Sequence, residues 1–162
     1  MQAIVAVDSN WSIGFCDQLL FDLPKDRAQF KRLTTPGTLI YGSKTLKSFP
    51  GSKPLPGRKN IILSHNQDLV VPGATVVHSI DELKKTVDLS ANDVFLIGGE
   101  SVYRQLLPLC SHVIVTKVFA RADAATATFP NLDFHPDWFS HDDNLNYEDN
   151  GYTCRTIYYQ HV

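Results

Sequence analysis

The chain has 162 residues and a formal net charge of −2, which suits one domain spanning 1–162 and argues against a nucleic-acid or membrane partner bound by bulk charge. Its three cysteines, Cys16, Cys110 and Cys154, are widely spaced without a CxxC motif, which excludes a disulfide framework and a zinc pattern and indicates a reducing compartment. The N-terminal stretch has no basic region, and no apolar run approaches the ~20 residues of a membrane span, so we expect a cytoplasmic protein.

The first elements along the chain are a strand, a long loop and a helix. Residues 3–7 are β-branched and apolar, which predicts a buried strand that ends at Asp8. Residues 8–23 show no clean period yet are very apolar for a loop, which leaves two alternatives open, a lid over a ligand and a packed loop without one. Pro24 opens a helix that is expected to run to Thr34, since proline is tolerated in the first helical turn.

Strands and helices then alternate to the end of the chain. The predicted strands are residues 38–41, 60–63, 75–77, 93–97, 113–118 and 152–159, the predicted helices are 43–49, 81–87 (capped by Ser79) and 100–107, and 119–149 is expected to be rich in loops. This order predicts a single-domain α/β fold with a mostly parallel central sheet of about eight strands, an antiparallel C-terminal edge and about four flanking helices. Ligands in such sheets bind beyond the carboxyl ends of the strands, here Asp8, Gly42, Ser64, Gly98 and Thr116.

An acid shares the apolar face of the first helix. Asp26, Phe30 and Leu33 recur at helical spacing and, at about 100° per residue, lie on one face. A carboxylate held against apolar surface can bind an N–H-rich ligand and can have a raised pKa. The alternative is a half-exposed acid that complements the helix dipole, and this stretch alone favours that reading.

Two strand–glycine–helix junctions predict a site for phosphate groups. Residues 37–45 (GTLIYGSKT) miss the P-loop pattern because a serine precedes the lysine and the intervening residues are strand formers. Gly42 still opens a helix after a strand, and Gly98-Gly99 does the same, so each junction can present helix-terminal N–H groups to an anion. For Gly42 by itself, a capped helix without a ligand is the better interpretation. The pair suggests a dinucleotide, although no full GxGxxG is present and Glu100 would oppose a nearby phosphate.

Arg58 follows the rigid turn 54–57 (PLPG). A guanidinium on a stiff loop can clamp a carboxylate with two hydrogen bonds, although by itself an ordinary surface arginine is the better interpretation. The histidines, among them His65 and His78, show no ligand spacing, so no metal is assigned, and no G-x-S-x-G nucleophile motif occurs.

Together these motifs resemble the dihydrofolate reductase family over essentially the whole chain. The resemblance is carried by residues 3–7, Ile13-Gly14, Leu23-Pro24-x-Asp26 with Phe30-Lys31, Gly42 with Lys44-Thr45, Pro54 to Arg58, Asn60 to Ser64, Ile97-Gly98-Gly99 with Val102-Tyr103, Thr116 and Phe129-Pro130. It implies that NADPH reduces 7,8-dihydrofolate to tetrahydrofolate by hydride transfer to C6 and protonation at N5, in support of one-carbon metabolism. The protein would supply proximity, a dry pocket and a poised carboxylate.

The resemblance also implies a set of site residues. Asp26 would bind the pterin 2-amino group and N3–H, Thr116 would bond to that carboxylate, and Leu20 and Phe21 on the mobile loop would complete the catalytic set. The implied substrate-binding residues are Ile4, Val5, Ala6, Asp26, Arg27, Phe30, Phe49, Leu55, Arg58 and Ile97. The implied cofactor-binding residues are Ala6, Ile13, Gly14, Leu19, Gly42, Ser43, Lys44, Thr45, Leu63, Ser64, His65, Ile97, Gly98, Gly99, Glu100, Ser101, Val102 and Tyr103.

Four positions depart from the family pattern. Phe21 stands where many relatives have tryptophan, Ser43 stands where an arginine commonly faces the 2′-phosphate of the cofactor, and Arg27 stands where relatives are often apolar and could add a charge near the substrate tail. Around Ala125 the acid that usually bonds the mobile loop is missing. We therefore predict a weaker closed state, and equal hydrogen-exchange protection of this loop in a relative that carries the acid would contradict that prediction.

The sequence thus predicts a monomeric reductase whose partners are dihydrofolate, NADPH and antifolate inhibitors of the family. Two alternatives remain open. One is a catalytically silent module on the same scaffold that binds a nucleotide or a folate, against which Asp26 and Thr116 argue. The other is a pyrimidine or pterin reductase of the same fold, against which the Arg58 loop argues because it suits a glutamate tail.

Overall fold

The computed structural model describes residues 1–15 and 18–162. Its strands are β1 (Gln2–Val7), β2 (Ser12–Phe15), β3 (Gln18–Leu19), β4 (Thr38–Gly42), β5 (Lys59–Leu63), β6 (Thr75–Val77), β7 (Val94–Gly98), β8 (His112–Val118), β9 (Ala127–Thr128), β10 (Trp138–His141), β11 (Asn146–Asp149) and β12 (Tyr152–His161). Its α-helices are α1 (Pro24–Thr34), α2 (Ser43–Leu46), α3 (Ile80–Thr86) and α4 (Glu100–Leu106).

One large sheet organises the molecule. In the described residues its strands lie in the order β10-β12-β8-β1-β7-β4-β5-β6, and β11 pairs with β12 as a ninth strand. The pairs from β8 to β6 are parallel, whereas β12 runs antiparallel to β8, β10 and β11. The predicted α/β fold with a mostly parallel sheet and an antiparallel C-terminal edge is therefore confirmed.

Apolar side chains cover both faces of the sheet. Strand β1 alternates strictly, so Val5 and Val7 enter a core on one face that also holds Leu83 of α3 and Leu106 of α4. The other face carries a second core, in which Leu39, Tyr41, Ile62 and Phe95 pack with Phe30 of α1 and Phe49. A parallel sheet covered on both faces explains why its strands read as continuous apolar runs in the sequence.

Two stretches that were expected to be loops contain short strands. Part of 8–23 forms β2 and β3, which make a separate three-stranded sheet with β9, and 119–149 contains β9, β10 and β11. These strands have two to four residues and are largely polar or exposed, so they lack the alternation that marks a strand in sequence. Cys16 and Asp17, which belong to the first stretch, lie outside the described residues.

The second helix is shorter than predicted. It ends at Leu46 rather than Phe49, because the next three N–H groups turn to carbonyls three residues back, with N···O distances of 3.0–3.2 Å. The other helices follow the prediction within a residue: α1 matches it, α3 is capped by the Ser79 hydroxyl, which accepts from the Glu82 N–H, and α4 begins at Glu100.

Candidate active site

The Asp26 carboxylate lies against the central sheet. Strand β8 places the Thr116 hydroxyl opposite the first turn of α1, and this hydroxyl donates to Asp26 Oδ1 over 2.6 Å. Burial raises the pKa of Asp26 above its ordinary value, the Thr116 hydrogen bond lowers it in part, and the charge of Asp149 raises it further. A carboxyl in this state holds a proton at higher pH than a solvent-exposed acid and can serve proton transfer. Asp26 is thus a half-buried acid in the first turn of α1 that is bonded to the sheet, and its role as the proton-transfer acid stays a prediction.

Half-buried apolar side chains form a wall beside this carboxylate. Six predicted substrate residues lie along it, namely Ile4, Ala6, Phe30, Phe49, Leu55 and Ile97, and five of these pack on the core that holds Tyr41 and Phe95. Ala6 packs instead with Leu23 and Phe21. A wall that is apolar and only partly covered fits one side of a flat heterocycle.

Two predicted site residues direct their side chains away from this wall. Val5 and Leu63 are buried in the core on the opposite face of the sheet. Because successive side chains of a strand point to opposite faces, Val5 cannot share a face with its neighbours Ile4 and Ala6. The side chains of Val5 and Leu63, and that of Val102 on α4 in the same core, are therefore not available to a ligand, and binding through the backbone of these predicted site residues stays a prediction.

The structure holds Arg58 at the far end of the wall. Its Nε donates to the Pro56 carbonyl over 3.1 Å, and its Nη1 donates to the Thr34 hydroxyl over 3.2 Å. The guanidinium carbon lies 5.9 Å from the centre of the Phe30 ring. These contacts orient the guanidinium, and burial lowers its pKa from the ordinary value. Arg58 is thus half-buried and oriented, and its role as a carboxylate clamp stays a prediction.

Asn60 organises the loop that carries Arg58, a role that the sequence analysis missed. Its side-chain amide donates to the carbonyls of Leu55 (2.9 Å) and Arg58 (3.0 Å). Its Oδ1 accepts from the Leu55 N–H (3.1 Å) and the Tyr41 hydroxyl (2.8 Å). An asparagine at the start of a strand was the only sign in the sequence, and nothing there shows that its side chain turns back to the loop.

The two glycine junctions meet at the carboxyl ends of β4 and β7. Tyr41 is in register with Gly98, and a Cβ on Gly42 would lie 2.9 Å from Val102 Cγ2. A Cβ on Gly98 would lie 3.3 Å from Thr45 Oγ1, and Gly98 has a φ of +131°. The two junctions therefore pack closely against each other, which glycine permits because it has no Cβ, and binding of a phosphate group there stays a prediction.

The remaining predicted cofactor residues surround these junctions. Lys44, His65 and Ser101 are exposed, Ser43 and Ser64 are half-buried, and the Tyr103 hydroxyl donates to the Ile4 carbonyl over 2.6 Å. The Glu100 carboxylate turns to the Thr128 hydroxyl (3.2 Å) and to Arg104 (3.4 Å). Since this carboxylate is engaged by those two groups, the predicted conflict with a phosphate at the same helix start is reduced.

The predicted mobile loop is anchored at its base by Asp8. This carboxylate accepts from the backbone N–H groups of Asn10 (2.9 Å), Ser12 (2.9 Å) and Ala122 (3.0 Å). Farther along, the Gly14 carbonyl accepts from the Thr126 N–H over 2.8 Å. Backbone bonds therefore join the loop to 122–129, and the predicted weaker closure stays a prediction.

Four further predicted residues lie on or after this loop. Leu19 is 73% exposed and Leu20 is half-buried. Phe21 packs edge-to-face on Tyr152 with ring centres 4.9 Å apart. Ile13 packs half-buried against the core. Whether these side chains contact a nicotinamide stays a prediction.

Arg27 lies at the surface, where its guanidinium pairs with the Asp22 carboxylate. Both side chains are about two-thirds exposed, at 65% and 67%. This pairing directs the Arg27 charge to the segment that precedes α1, and a role near the substrate tail stays a prediction.

Residues 1–15 and 18–162 contain neither a candidate metal-binding cluster nor a candidate membrane-spanning helix. In this part of the chain no group of three or more histidine, cysteine, aspartate or glutamate side chains is placed to bind a metal ion. Over the same ranges, no helix combines the length and the apolar character needed to cross a bilayer.

Comparison of the sequence with a family model and with known proteins identifies the same family in each case. A family model described as dihydrofolate reductase matches residues 1–161. A dihydrofolate reductase from Bacillus subtilis is 38% identical over 117 residues, which cover 71% of this chain and 67% of that protein. One from Staphylococcus aureus is 32% identical over 138 residues, which cover 85% of this chain and 82% of that protein.

A solved structure is similar over nearly the whole fold. It is the dihydrofolate reductase from Enterococcus faecalis complexed with NADP(H) and RAB-propyl, which has a TM-score of 0.81 and 28% identity and covers 99% of this chain and 95% of that chain. The chain therefore belongs to the dihydrofolate reductase family, whose reaction is the NADPH-dependent reduction of 7,8-dihydrofolate to tetrahydrofolate.

Proposed function

We propose that this chain reduces dihydrofolate at the cleft between α1 and the two glycine junctions, with Asp26 as the acid. The observation that carries the proposal is the Asp26 carboxylate, which is half-buried beside an apolar wall, is bonded to the Thr116 hydroxyl and has a raised pKa. Asp26 binds the 2-amino group and N3–H of the pterin and helps N5 gain a proton. Hydride transfer is the chemistry that bound NADPH supplies.

The apolar wall orients the substrate. Phe30 and Leu55 pack against the pterin and aminobenzoyl rings, and the backbone carbonyls of Ile4 and Ile97 border the pterin and the nicotinamide. Arg58 clamps the α-carboxylate of the glutamate tail, since its guanidinium is already held by the Thr34 hydroxyl and the Pro56 carbonyl. An oriented arginine loses less conformational freedom when it binds than a mobile one does.

The paired glycine junctions hold the pyrophosphate of NADPH. The helices that follow Gly42 and Gly98-Gly99 begin at the ends of neighbouring strands, β4 and β7, so their main-chain N–H groups are close enough to bind one pyrophosphate. The similar protein from Enterococcus faecalis binds NADP(H), which supports this assignment. Lys44, Ser64 and His65 contact the 2′-phosphate in place of the arginine that Ser43 replaces.

The loop before α1 covers the nicotinamide. Leu19, Leu20 and Phe21 exclude water while the hydride moves, and the Asp8 anchor fixes where this lid begins. We further propose that residues 1–162 form one domain, that the protein is a cytoplasmic monomer and that antifolates compete for the pterin site.

The decisive test follows NADPH absorbance after dihydrofolate is added to the wild type and to Asp26→Asn. We expect the wild type to oxidise NADPH and Asp26→Asn to lose about 10²–10⁴-fold in rate at neutral pH, because the acid that assists N5 is gone. Lowering the pH restores part of the activity, since the substrate then arrives protonated. A wild type that binds both ligands and never oxidises NADPH leaves only a binding module.

A second experiment separates folate reduction from the reduction of simpler pterins. Arg58→Gln is expected to raise the KM for dihydrofolate and to leave the KM for a 7,8-dihydropterin without a glutamate tail unchanged. If KM rises equally for both substrates, Arg58 does not bind the tail, and a pterin reductase becomes the better assignment.

A further inference from the structure

Helix α1 begins without a capping group of its own. Its N-cap is Leu23, whose side chain has no oxygen to accept a hydrogen bond, and Pro24 at the next position has no N–H. The first bond within the helix runs from the Arg27 N–H to the Leu23 carbonyl over 2.9 Å. The N–H groups of Lys25 and Asp26 therefore have no acceptor within the helix.

Asp149, at the end of β11, supplies both missing acceptors. Its Oδ1 accepts from the Lys25 N–H over 3.1 Å and its Oδ2 accepts from the Asp26 N–H over 2.9 Å. Asp149 is 1% exposed, so water does not compete readily for these bonds. The Asp149 carboxylate thus caps α1 from a strand that lies more than a hundred residues later in the chain. One of its two hydrogen bonds is accepted from the backbone N–H of Asp26 itself.

The surrounding turn holds this cap in place. The Lys25 ammonium donates to the Glu148 carbonyl over 2.6 Å. On the other side, the Asn150 side-chain amide donates to the Asp22 carbonyl over 2.9 Å. The β11–β12 hairpin is therefore fastened to the start of α1 on both sides of Asp149.

We propose that Asp149 is a positioning residue for Asp26: it fixes the backbone of the catalytic acid through the helix cap and keeps a negative charge beside its carboxyl group. The proposal rests on the proposed function for its catalytic consequence, whereas the cap and the charge can be tested without turnover. Asp149 can have both effects although it is far from Asp26 in sequence, because the fold brings the two residues together.

In the described part of the chain, the other titratable groups that face Asp26 from neighbouring elements are neutral near physiological pH. Burial raises the pKa of Cys154 on β12 to about 11, and burial also raises those of Tyr147 on β11 and Tyr103 on α4. In contrast, the nearby Asp149 charge contributes to the raised pKa of Asp26, after burial and the opposing bond from Thr116.

The charged neighbours on α1 itself are engaged elsewhere. The Lys25 ammonium is held by the Glu148 carbonyl, and the Arg27 guanidinium is paired with Asp22 at the surface. Neither cation is therefore positioned to cancel the effect of Asp149 on the Asp26 carboxyl group.

The first experiment measures the ionisation of Asp26 directly, by ¹³C NMR of protein labelled at the aspartate carboxyl carbons, with the Asp26 signal assigned by its loss in Asp26→Asn. The variants are Asp149→Asn, which keeps one carbonyl oxygen as an acceptor but removes the charge, and Glu148→Gln, which removes the same charge from the exposed neighbouring residue. We expect the pKa of Asp26 to fall in Asp149→Asn and to stay at the wild-type value in Glu148→Gln, because only the first charge faces Asp26.

The second experiment records hydride transfer from NADPH to dihydrofolate against pH in single turnovers. Asp149→Asn should be about two- to fivefold slower than the wild type on the alkaline side of the profile and nearly equal on the acid plateau. Asp149→Ala, which removes both acceptors, should be slower at every pH and should have a Tm about 2–4 °C below that of Asp149→Asn.

The results can contradict the proposal in three ways. A pKa of Asp26 that is unchanged or higher in Asp149→Asn removes the electrostatic role, and an equal shift in Glu148→Gln reduces it to an effect of net charge. Equal Tm values and rates for Asp149→Ala and Asp149→Asn remove the capping role. A wild type without turnover refutes the proposed function alone, because the NMR titration still reports on Asp149.

Discussion

Removing the Asn60 side chain tests how the structure prepares Arg58 for a carboxylate. The variant Asn60→Ala loses four hydrogen bonds, two to Leu55 and one each to Arg58 and Tyr41. A net value of about 0.5–1.5 kcal/mol for each bond gives an upper range of roughly 2–6 kcal/mol. The loop groups are partly exposed and regain water, whereas the Tyr41 hydroxyl is buried and does not, so we expect a loss of roughly 2–4 kcal/mol in the free energy of unfolding.

Asn66→Ala is the matched control. It deletes the same atoms from an exposed loop, where Asn66 Oδ1 accepts only the Asp68 N–H over 3.0 Å among the bonds described. An exposed substitution of this kind is expected to change the free energy of unfolding by about 0.5 kcal/mol or less. Urea unfolding of both variants and of the wild type measures the difference. Because domains of this size are commonly stable by about 5–15 kcal/mol, Asn60→Ala should still fold.

The loss of the Asn60 hydrogen bonds should also weaken the binding of dihydrofolate, without an effect on the binding of NADPH. Without Asn60 the loop that carries Leu55 and Arg58 samples more conformations, so we expect the KM for dihydrofolate to rise about three- to tenfold while the KM for NADPH stays unchanged. If Asn60→Ala is as stable as Asn66→Ala, or if both KM values rise together, the hydrogen bonds of Asn60 do not preorganise the substrate loop.

Three further predictions concern other parts of the site. Gly98→Ala forces a side chain onto a residue with a φ of +131° and against Thr45, so it should lower the free energy of unfolding by about 1–3 kcal/mol. It should also weaken NADPH binding in a fluorescence titration, and wild-type affinity would contradict the close approach of backbone and cofactor. Thr116→Val removes the hydroxyl that favours ionised Asp26, so the pH profile of hydride transfer should move to higher pH, and a shift to lower pH would refute this role. Burial opposes ionisation of Asp8, but three backbone N–H groups outweigh it and hold its pKa below 3.8. The stability that ionised Asp8 contributes is therefore present above pH 3.8 and is lost as the pH falls through the lower pKa of the folded state. The Tm of Asp8→Asn should be below that of the wild type at pH 7, and this difference should shrink in acid; a constant difference would show that the charge does not matter.

The sequence by itself determined the large elements and several chemical groups of the site. Long apolar runs specify buried strands in any context, and Pro24 specifies the start of α1. The Asp26–Phe30 spacing gives only part of its inward face, because Leu33, which the same pattern placed there, is 37% exposed. The two glycine junctions were readable because glycine at the end of a strand is a local signal of close backbone approach. These features depend on neighbours within a few residues, so a single sequence contains them.

Only the tertiary structure decided which residues cap α1, pair with the short strands and orient the loop that carries Arg58. The cap of α1 comes from Asp149, in a stretch that reads as an acidic loop. The strands β9 and β10 exist because β2 and β12, which are not their neighbours in sequence, pair with them, whereas β11 pairs with the next strand, β12. Asn60 is close in sequence to Arg58, yet the direction of its side chain depends on Tyr41 on the adjacent strand. Hydrogen bonds of this kind carry no periodic signature, because one polar group forms them wherever the fold brings its partner within about 3 Å.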